Sequence, residues 1–460
     1  MALMVSISGI RGIVGETLTP ETIVKYASAY ARFCNRGRII IGRDGRVTGK
    51  NILDIVVSTL IQMGCDVTDL GICPTPTVAL AVEKKKAAGG ISITASHNPI
   101  IWNGLKFFAS TGLFLDADEN RNFWKLAESA AEYVPWNKQG RYVLEESFLD
   151  EHIKEVLFLS YIDIKKIRLK KFKVVLDCVN AAGGIIVPRL LKEFNCEVIP
   201  ISCEVTGIFS HTPEPIPENL TSLCSEVIKQ KADLGIAVDP DVDRLVLINE
   251  KGEPFGEEYT IASCTKFILE KISDKNTIRQ STGNQPLKTV VNLSTTRAVE
   301  DISKKYGASA LRTPVGEINV AKKMKETDAV IGGEGSGGVI LPDVHLGRDA
   351  IVGIALVLQH LAEFGGTLSE LKAELPQYCI TKGRVDLGTL NPDAILQKLA
   401  AEYSKTNSIN TDDGLKIDFP ETWVHLRKSN TEPIIRIIAE AHTKPEADEL
   451  VKMFTAKILG

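Results

Sequence analysis

The sequence lacks an excess of either charge. Its 54 Lys+Arg against 58 Asp+Glu leave a net charge of -4 and a pI near 6.1. No broad basic surface exists for nucleic acid or an anionic membrane to bind, so neither partner is expected. An anionic ligand would have to be met by a local cluster of basic groups. Paired cysteines are lacking too. The nine present are odd in number, scattered and never in a CxxC pair. They sit mostly in apolar segments, as Cys178 and Cys264 do, and read as reduced core residues of a cytoplasmic protein rather than as disulfides or a zinc site. No apolar run approaches the ~20 residues of a membrane span. The opening MALMVSISGIRG has no basic segment followed by an apolar one, so no signal peptide is expected. No low-complexity segment interrupts the chain. What is left is an ordinary soluble composition, 44% hydrophobic and 24% charged, over 460 residues. At roughly 150 residues per domain that length suggests three or four domains.

Short β-rich runs alternate with helical stretches, the pattern of an α/β protein. Four runs read as buried strands ending in a polar turn: 38–44 (RIIIGRD), 173–177 (KVVLD), 234–239 (LGIAVD) and 329–333 (AVIGG). Ligands gather at the carboxyl ends of such strands. A helix over 21–34 follows Thr19 and Pro20, an N-cap and a first-turn proline. Another over 349–364 stops at Gly365-Gly366, a C-cap signal. Composition shifts place boundaries near 150, 255 and 376, giving domains 1–150, 151–254, 255–375 and 376–460. The last alternates apolar and polar residues from about 380 and closes with a helix over 445–458, a small α+β unit.

Four motifs carry chemistry. In Gly90–Phe108 (GISITASHNPIIWNGLKFF), a strand delivers Ser96 and His97 into a turn closed by Asn98-Pro99. A serine there would be exposed and rigidly held, as a phosphoryl carrier must be. Lys106 follows as acid/base or phosphate clamp. The plainer alternative is a helix-capping serine with a surface lysine. The segment is not GxSxG, which argues against a hydrolase elbow. In Asp239–Arg244 (DPDVDR), carboxylates at i, i+2 and i+4 would share one side of an extended loop. Three such anions are stable mainly around a cation, and an all-oxygen set suits Mg²⁺. A solvated acidic turn and an EF-hand loop are the alternatives. Glu250 occupies the EF-hand's twelfth position, but Arg244 stands at the sixth, where glycine is needed, and strand-like LVLIN follows. Gly333–Gly338 (GEGSGG) matches GxGxxG in letters, but Val339-Ile340 and Pro342 follow it instead of a helix. Glu334 and Ser336 in that glycine-rich loop could meet sugar hydroxyls, or the loop is a plain turn. Finally, Arg427–Arg436 (RKSNTEPIIR) gathers Arg, Ser, Asn and Thr in one turn, either a phosphate cradle or a hairpin with surface charges.

In this order the motifs resemble the α-D-phosphohexomutase family, from SGIRG at Ser8–Gly12 to RKSNTEP near the end. The resemblance implies a four-domain architecture, three similar α/β domains plus a C-terminal α+β domain around a central cleft. It implies that Ser96 is the phosphoserine. Ser96 with Asp239, Asp241 and Asp243 would hold Mg²⁺. Arg11, His97 and Lys106 would stand at the reacting phosphate, with Arg244 beside them and Lys106 the candidate base. Glu334 and Ser336 would select the sugar, Thr313 and Gly316 would contact substrate, and Arg427, Ser429, Asn430, Thr431 and Arg436 would hold the phosphate that does not react. The activity implied is transfer of a phosphoryl group between O1 and O6 of a hexose phosphate, with a sugar 1,6-bisphosphate as intermediate and activator, in a monomer or homodimer. Glucosamine phosphate is placed ahead of mannose and glucose phosphates. A phosphatase acting through phosphoserine and a non-catalytic sugar-phosphate sensor are the rivals. The chain departs from the family where the sugar loop usually ends in histidine, because Gly338 stands there. Gly335 likewise replaces the Met or Gln usual after the glutamate, and His345 is the nearest histidine in sequence.

Overall fold

The computed structural model describes residues 3–275, 286–388, 390–429 and 433–460. The chain divides into two compact units, Met1–Thr260 with Gly337–Lys372, and Ile261–Ser336 with Ala373–Gly460.

The first unit holds a seven-stranded sheet, ordered Met4–Ser6, Gly9–Ile13, Trp102–Ala109, Gly89–Ile93, Ile39–Arg43, Val67–Ile72 and Tyr142–Leu144. The central strands Gly89–Ile93, Ile39–Arg43 and Val67–Ile72 run parallel, and Trp102–Ala109 pairs antiparallel with Gly89–Ile93. Helix Pro20–Phe33 begins where Thr19 accepts from the Thr22 amide, as the sequence predicts, and buries Ile23, Tyr26 and Tyr30. The Tyr30 ring lies 4.9 Å from Phe107 and Phe107 lies 4.7 Å from Phe123. Its hydroxyl reaches the carbonyl of Gly90 at 3.0 Å. A Cβ on Gly89 would stand 2.2 Å from that hydroxyl, so glycine is what lets the helix seat on the strand leading to Ser96.

A second sheet in this unit runs Leu245–Asn249, Leu234–Val238, Lys173–Asp177, Glu197–Pro200. Its central pair is parallel and almost wholly apolar inside, as the runs LGIAV and KVVLD predict, with Asp177 the buried polar exception. Helix Ala350–Phe364 is buried on nearly every side and packs on helices Phe148–Leu157 and Ile164–Lys170. Asp349 caps it through the amides of Ile351 and Val352, and Gly365 closes it at φ +80°.

In the second unit, strands Ser309–Thr313, Lys288–Asn292 and Ile331–Glu334 lie parallel. A five-stranded antiparallel sheet follows, Cys379–Asp386, Ile434–Ala441, Trp423–Lys428, Leu415–Asp418, Ser408–Asn410. Val385, Ile435, Ile437 and Leu426 bury one of its faces in a core shared with Phe454 of helix Lys444–Leu459. Among the described residues no helix is long and apolar enough to cross a membrane.

Candidate active site

In the first unit, three strands end at one place and a fourth passes it. Ser96 follows Gly89–Ile93, Asp44 follows Ile39–Arg43, Asp239 follows Leu234–Val238, and Lys106 projects from Trp102–Ala109. Ser96 sits at φ +49°, a left-handed conformation that a non-glycine residue adopts at a cost. Its amide donates to Thr94 Oγ1 at 2.8 Å, and Thr94 donates to Asp44 Oδ2 at 2.6 Å. The sequence predicts an exposed serine, but Ser96 is 2% exposed. Its Oγ donates instead to Asp239 Oδ2 at 2.9 Å and lies 3.3 Å from His97 Nδ1. Burial, then Arg244 and Arg11, push His97 down to about 3, so the ring is neutral.

The residue fixing this loop is Arg46, which sequence reasoning missed. Buried at 1% exposure, it pairs with Asp44 at 3.1 Å and donates to the carbonyls of Ser96 (2.6 Å), Asn98 (2.7 Å), Pro99 (2.9 Å) and Trp102 (2.9 Å). A signal existed, since it follows directly on the strand and polar turn RIIIGRD.

Asp239, Asp241 and Asp243 are 0%, 0% and 1% exposed, which rules out a solvated acidic turn. One carboxylate oxygen from each lies within 4.8 Å of the others. The loop is not extended, as the sequence predicts; it turns. Val242 takes φ +60° and donates its amide to the Asp239 carbonyl at 3.0 Å. The amides of Asp243 and Arg244 both donate to Asp239 Oδ1 at 3.2 Å. The carboxylate supplies the local bonds that an extended loop would leave unmade. Glu250 is not part of the group; it accepts from Ser369 Oγ at 2.5 Å and from the Ser369 amide at 3.2 Å, so the EF-hand alternative falls.

The Oδ2 atoms of Asp241 and Asp243 are tied. Lys106 Nζ donates to them at 2.5 and 3.2 Å, Thr75 Oγ1 donates to Asp241 at 2.7 Å, and Arg348 Nη2 donates to Asp243 at 2.7 Å. The Oδ1 atoms of both are buried without a hydrogen-bond partner. Burial, reinforced by its two neighbours, drives the Asp239 carboxyl well above the ordinary range. Crowded, partnerless carboxylate oxygens are what a hard divalent cation would satisfy, so this donor set fits one. For Lys106, burial works against the charge, but Asp241 and Asp243 outweigh it and hold the ammonium charged. Arg11 lies on strand Gly9–Ile13 opposite Gly104 and donates to Asn98 Oδ1 at 3.1 Å. Arg244 approaches Asp243 at 3.9 Å. His345 has no place in a sugar loop here. It is buried, with Nε2 3.1 Å from Asp349 Oδ2, the oxygen His152 also reaches at 2.7 Å.

The second unit gathers a different set. Glu334 is buried, accepting from Asn292 Nδ2 at 2.8 Å and from the Gly316 amide at 3.1 Å. Thr313 ends its strand, and Gly316 precedes helix Glu317–Thr327 at φ +124°. Ser336 is half-buried in the turn after Glu334. Arg427 pairs with Asp413 at 2.9 Å, and Ser429 follows half-buried. Asn430 and Thr431 lie outside the described residues. Arg436 is exposed and stands directly opposite Arg427 on one side and Arg384 on the other. Three cations in register across neighbouring strands repel and share one face, a natural seat for an anion. Arg384 lies outside the RKSNTEPIIR turn and joins the row only through strand pairing.

A strand-end serine held against three clustered, buried carboxylates, with lysine and arginine beside them, is an arrangement suited to phosphoryl transfer. The chain matches all four domain families of phosphoglucomutase/phosphomannomutase: alpha/beta/alpha domain I over residues 4–134, domain II over 150–252, domain III over 264–378 and the C-terminal domain over 383–457. It is 35% identical over 445 residues to a "Probable phosphoglucosamine mutase" of Methanopyrus kandleri, covering 96% of this chain and 95% of that one. It is 36% identical over 453 residues to a "Phosphoglucomutase/phosphomannomutase" of Thermococcus kodakarensis, covering 97% and 96%. A solved phosphoglucomutase/phosphomannomutase family protein of Burkholderia thailandensis shares the fold, with a TM-score of 0.84 at 24% identity over 99% of this chain and 98% of that one. The chain belongs to the phosphoglucomutase/phosphomannomutase family, and it is a phosphohexomutase.

Proposed function

We propose that the chain interconverts glucosamine 6-phosphate and glucosamine 1-phosphate in the cytoplasm, with Ser96 as the phosphoryl carrier. The observation that carries the mechanism is the Ser96 hydroxyl held 2.9 Å from Asp239 beside two partnerless carboxylate oxygens. Phospho-Ser96 gives its phosphoryl group to the free hydroxyl of the sugar monophosphate: the serine Oγ–P bond breaks, a sugar O–P bond forms, and the hydroxyl's proton ends on the serine Oγ. The 1,6-bisphosphate turns over and returns its other phosphoryl group to Ser96, so added bisphosphate would restore dephosphorylated enzyme. Asp239, Asp241, Asp243 and the serine's phosphate would hold Mg²⁺, which when bound supplies charge neutralisation at the transferring group. Lys106, Arg11 and Arg244 add fixed positive charge there. Catalysis of this kind is mostly positioning and electrostatics, with little need for a strong base. That agrees with a charged Lys106 and a neutral His97 too weakly basic to take a proton readily. Glu334 and Ser336 would select the sugar, with Thr313 and Gly316 supporting that contact. Arg427, Ser429, Asn430, Thr431 and Arg436 would hold the phosphate that does not react. Domain boundaries near 150, 255 and 376 would assign each group of residues to its own domain.

The glucosamine assignment is supported by the Methanopyrus relative's name. The Thermococcus name favours glucose and mannose phosphates as the second reading. The test is turnover of the 1-phosphates of glucosamine, N-acetylglucosamine, mannose and glucose, with Mg²⁺ and catalytic bisphosphate, beside Ser96→Ala. A 6-phosphate product absent from the alanine variant, fastest from glucosamine 1-phosphate, is expected. Equal turnover by Ser96→Ala would remove the carrier role, and preference for glucose or mannose would move the assignment to the second reading.

A further inference from the structure

Gly338 is where this chain departs from the expected sugar loop, and the structure shows what uses the space. A Cβ built on Gly338 would stand 2.3 Å from Arg348 Cδ, 3.0 Å from its Cγ and 3.5 Å from its Nε. The stem of Arg348 therefore lies directly across the glycine. Beyond it, Nη2 reaches Asp243 Oδ2 at 2.7 Å, across 105 residues of sequence. The backbone that carries Arg348 is pinned on both sides. Asp349 donates its amide to the Val339 carbonyl at 2.8 Å. Ala350 donates to the carbonyl of Val242 at 3.1 Å, inside the carboxylate loop itself. The Asp349 side chain is clamped between His152 and His345 while capping helix Ala350–Phe364. Asp243 is thus divided: Oδ2 is held by Arg348 and Lys106, and Oδ1 is buried with no hydrogen bond, Arg244 Nε standing 3.9 Å away.

We propose that Arg348 is the positioning residue of Asp243, turning its free oxygen toward the cation, and that Gly338 is the residue that admits it. The inference rests on the carboxylates being a cation site, as read above. Partners of this kind orient a metal's ligands, and their loss typically costs about 10–100-fold in affinity. The stem cannot share its path with a side chain at 338. A side chain there forces the stem to shift, and the proposal is that the guanidinium shifts with it.

The test is Mn²⁺ binding to the full-length protein by paramagnetic resonance, with no sugar present, for wild type, Arg348→Met, Gly338→Ala and the double variant. Thermal melts establish that each is folded. Arg348→Met and Gly338→Ala should each lose roughly tenfold in affinity, and the double variant no more than either alone. Arg348→Lys, which keeps the charge without the planar fork, should not recover wild-type affinity and keeps the proposal testable if Gly338→Ala fails to fold. Unchanged or tighter binding in Arg348→Met overturns the proposal, because removal of a repelling cation would then be the larger effect. Additive losses overturn the link to Gly338. Wild-type protein that holds no Mn²⁺ overturns the cation site itself, and this inference with it.

Discussion

At the scale of single residues, the site depends on buried charges that each have several partners. Arg46 is the extreme case, with one carboxylate and four carbonyls around one guanidinium. Arg46→Met leaves Asp44 buried and unpaired and frees the loop that holds Ser96. A loss of about 3–5 kcal/mol in urea unfolding is expected, with turnover falling further than stability alone explains. That Ser96, Asp239, Asp241, Asp243 and Lys106 draw attention in the sequence follows from the short motifs they stand in, and the structure brings them together. Arg46 and Arg348 do not draw it. Arg46 stands beside a strand and its polar turn and pairs with nearby Asp44, but the loop carbonyls it ties begin 50 residues away, and the carboxylate that Arg348 reaches lies 105 residues away. Ser96 was read correctly as rigid and wrongly as exposed. The turn is local, but the carboxylate covering the hydroxyl comes from 143 residues further on.

At the scale of elements, starts and stops were legible where capping residues mark them. Thr19 and Pro20 open their helix, and Asp349 and Gly365 bound theirs. The carboxylate loop was not, since nothing in DPDVDR announces a valine in the left-handed region. The turn after Glu334 is as tightly determined. Gly337 has φ +86°, and a Cβ there would meet Leu245 O at 2.4 Å. Gly337→Ala should destabilise by more than about 1 kcal/mol, measured by denaturant unfolding. Strand Trp423–Lys428 carries a pH response of its own. His425 is buried, with Nε2 donating to the Asp413 carbonyl at 2.7 Å and Nδ1 accepting from Ser294 Oγ at 2.9 Å. Burial lowers it to about 4. The unfolded histidine, near 6.5, binds a proton that the folded one refuses between those values. The stability it confers is therefore complete above about 6.5 and lost as pH falls toward 4, by about 3 kcal/mol. Urea unfolding from pH 7 to 4 should show that slope, and His425→Gln should flatten it.

At the scale of the whole molecule, the alternation of runs marks an α/β chain of several domains, and the α/β/α families matched in series agree with it. The grouping of Gly337–Lys372 with residues far earlier in the chain could not be inferred, because it rests on side-chain contacts such as His152 with Asp349. A cation held by the three carboxylates would give the first unit a ligand-dependent stability. Mg²⁺ at a hundred times its dissociation constant should add about 2.7 kcal/mol. A rise in melting temperature is expected for wild type and its absence for Asp241→Asn; a rise in both would place the bound ion elsewhere.

The first unit is interrupted. Its chain leaves after Thr260 and returns at Gly337. On the ribosome this sets an order of events. Ser96 and all three aspartates have emerged long before Arg348 and Asp349 are made, with the whole of Ile261–Ser336 synthesised in between. At ~5–20 residues per second, the carboxylates wait several seconds without the guanidinium that ties Asp243 and the helix that docks on their loop. A nascent chain stalled before residue 337 therefore carries the serine and the acids but not the finished site, and the enzyme becomes chemically competent only after most of its length exists.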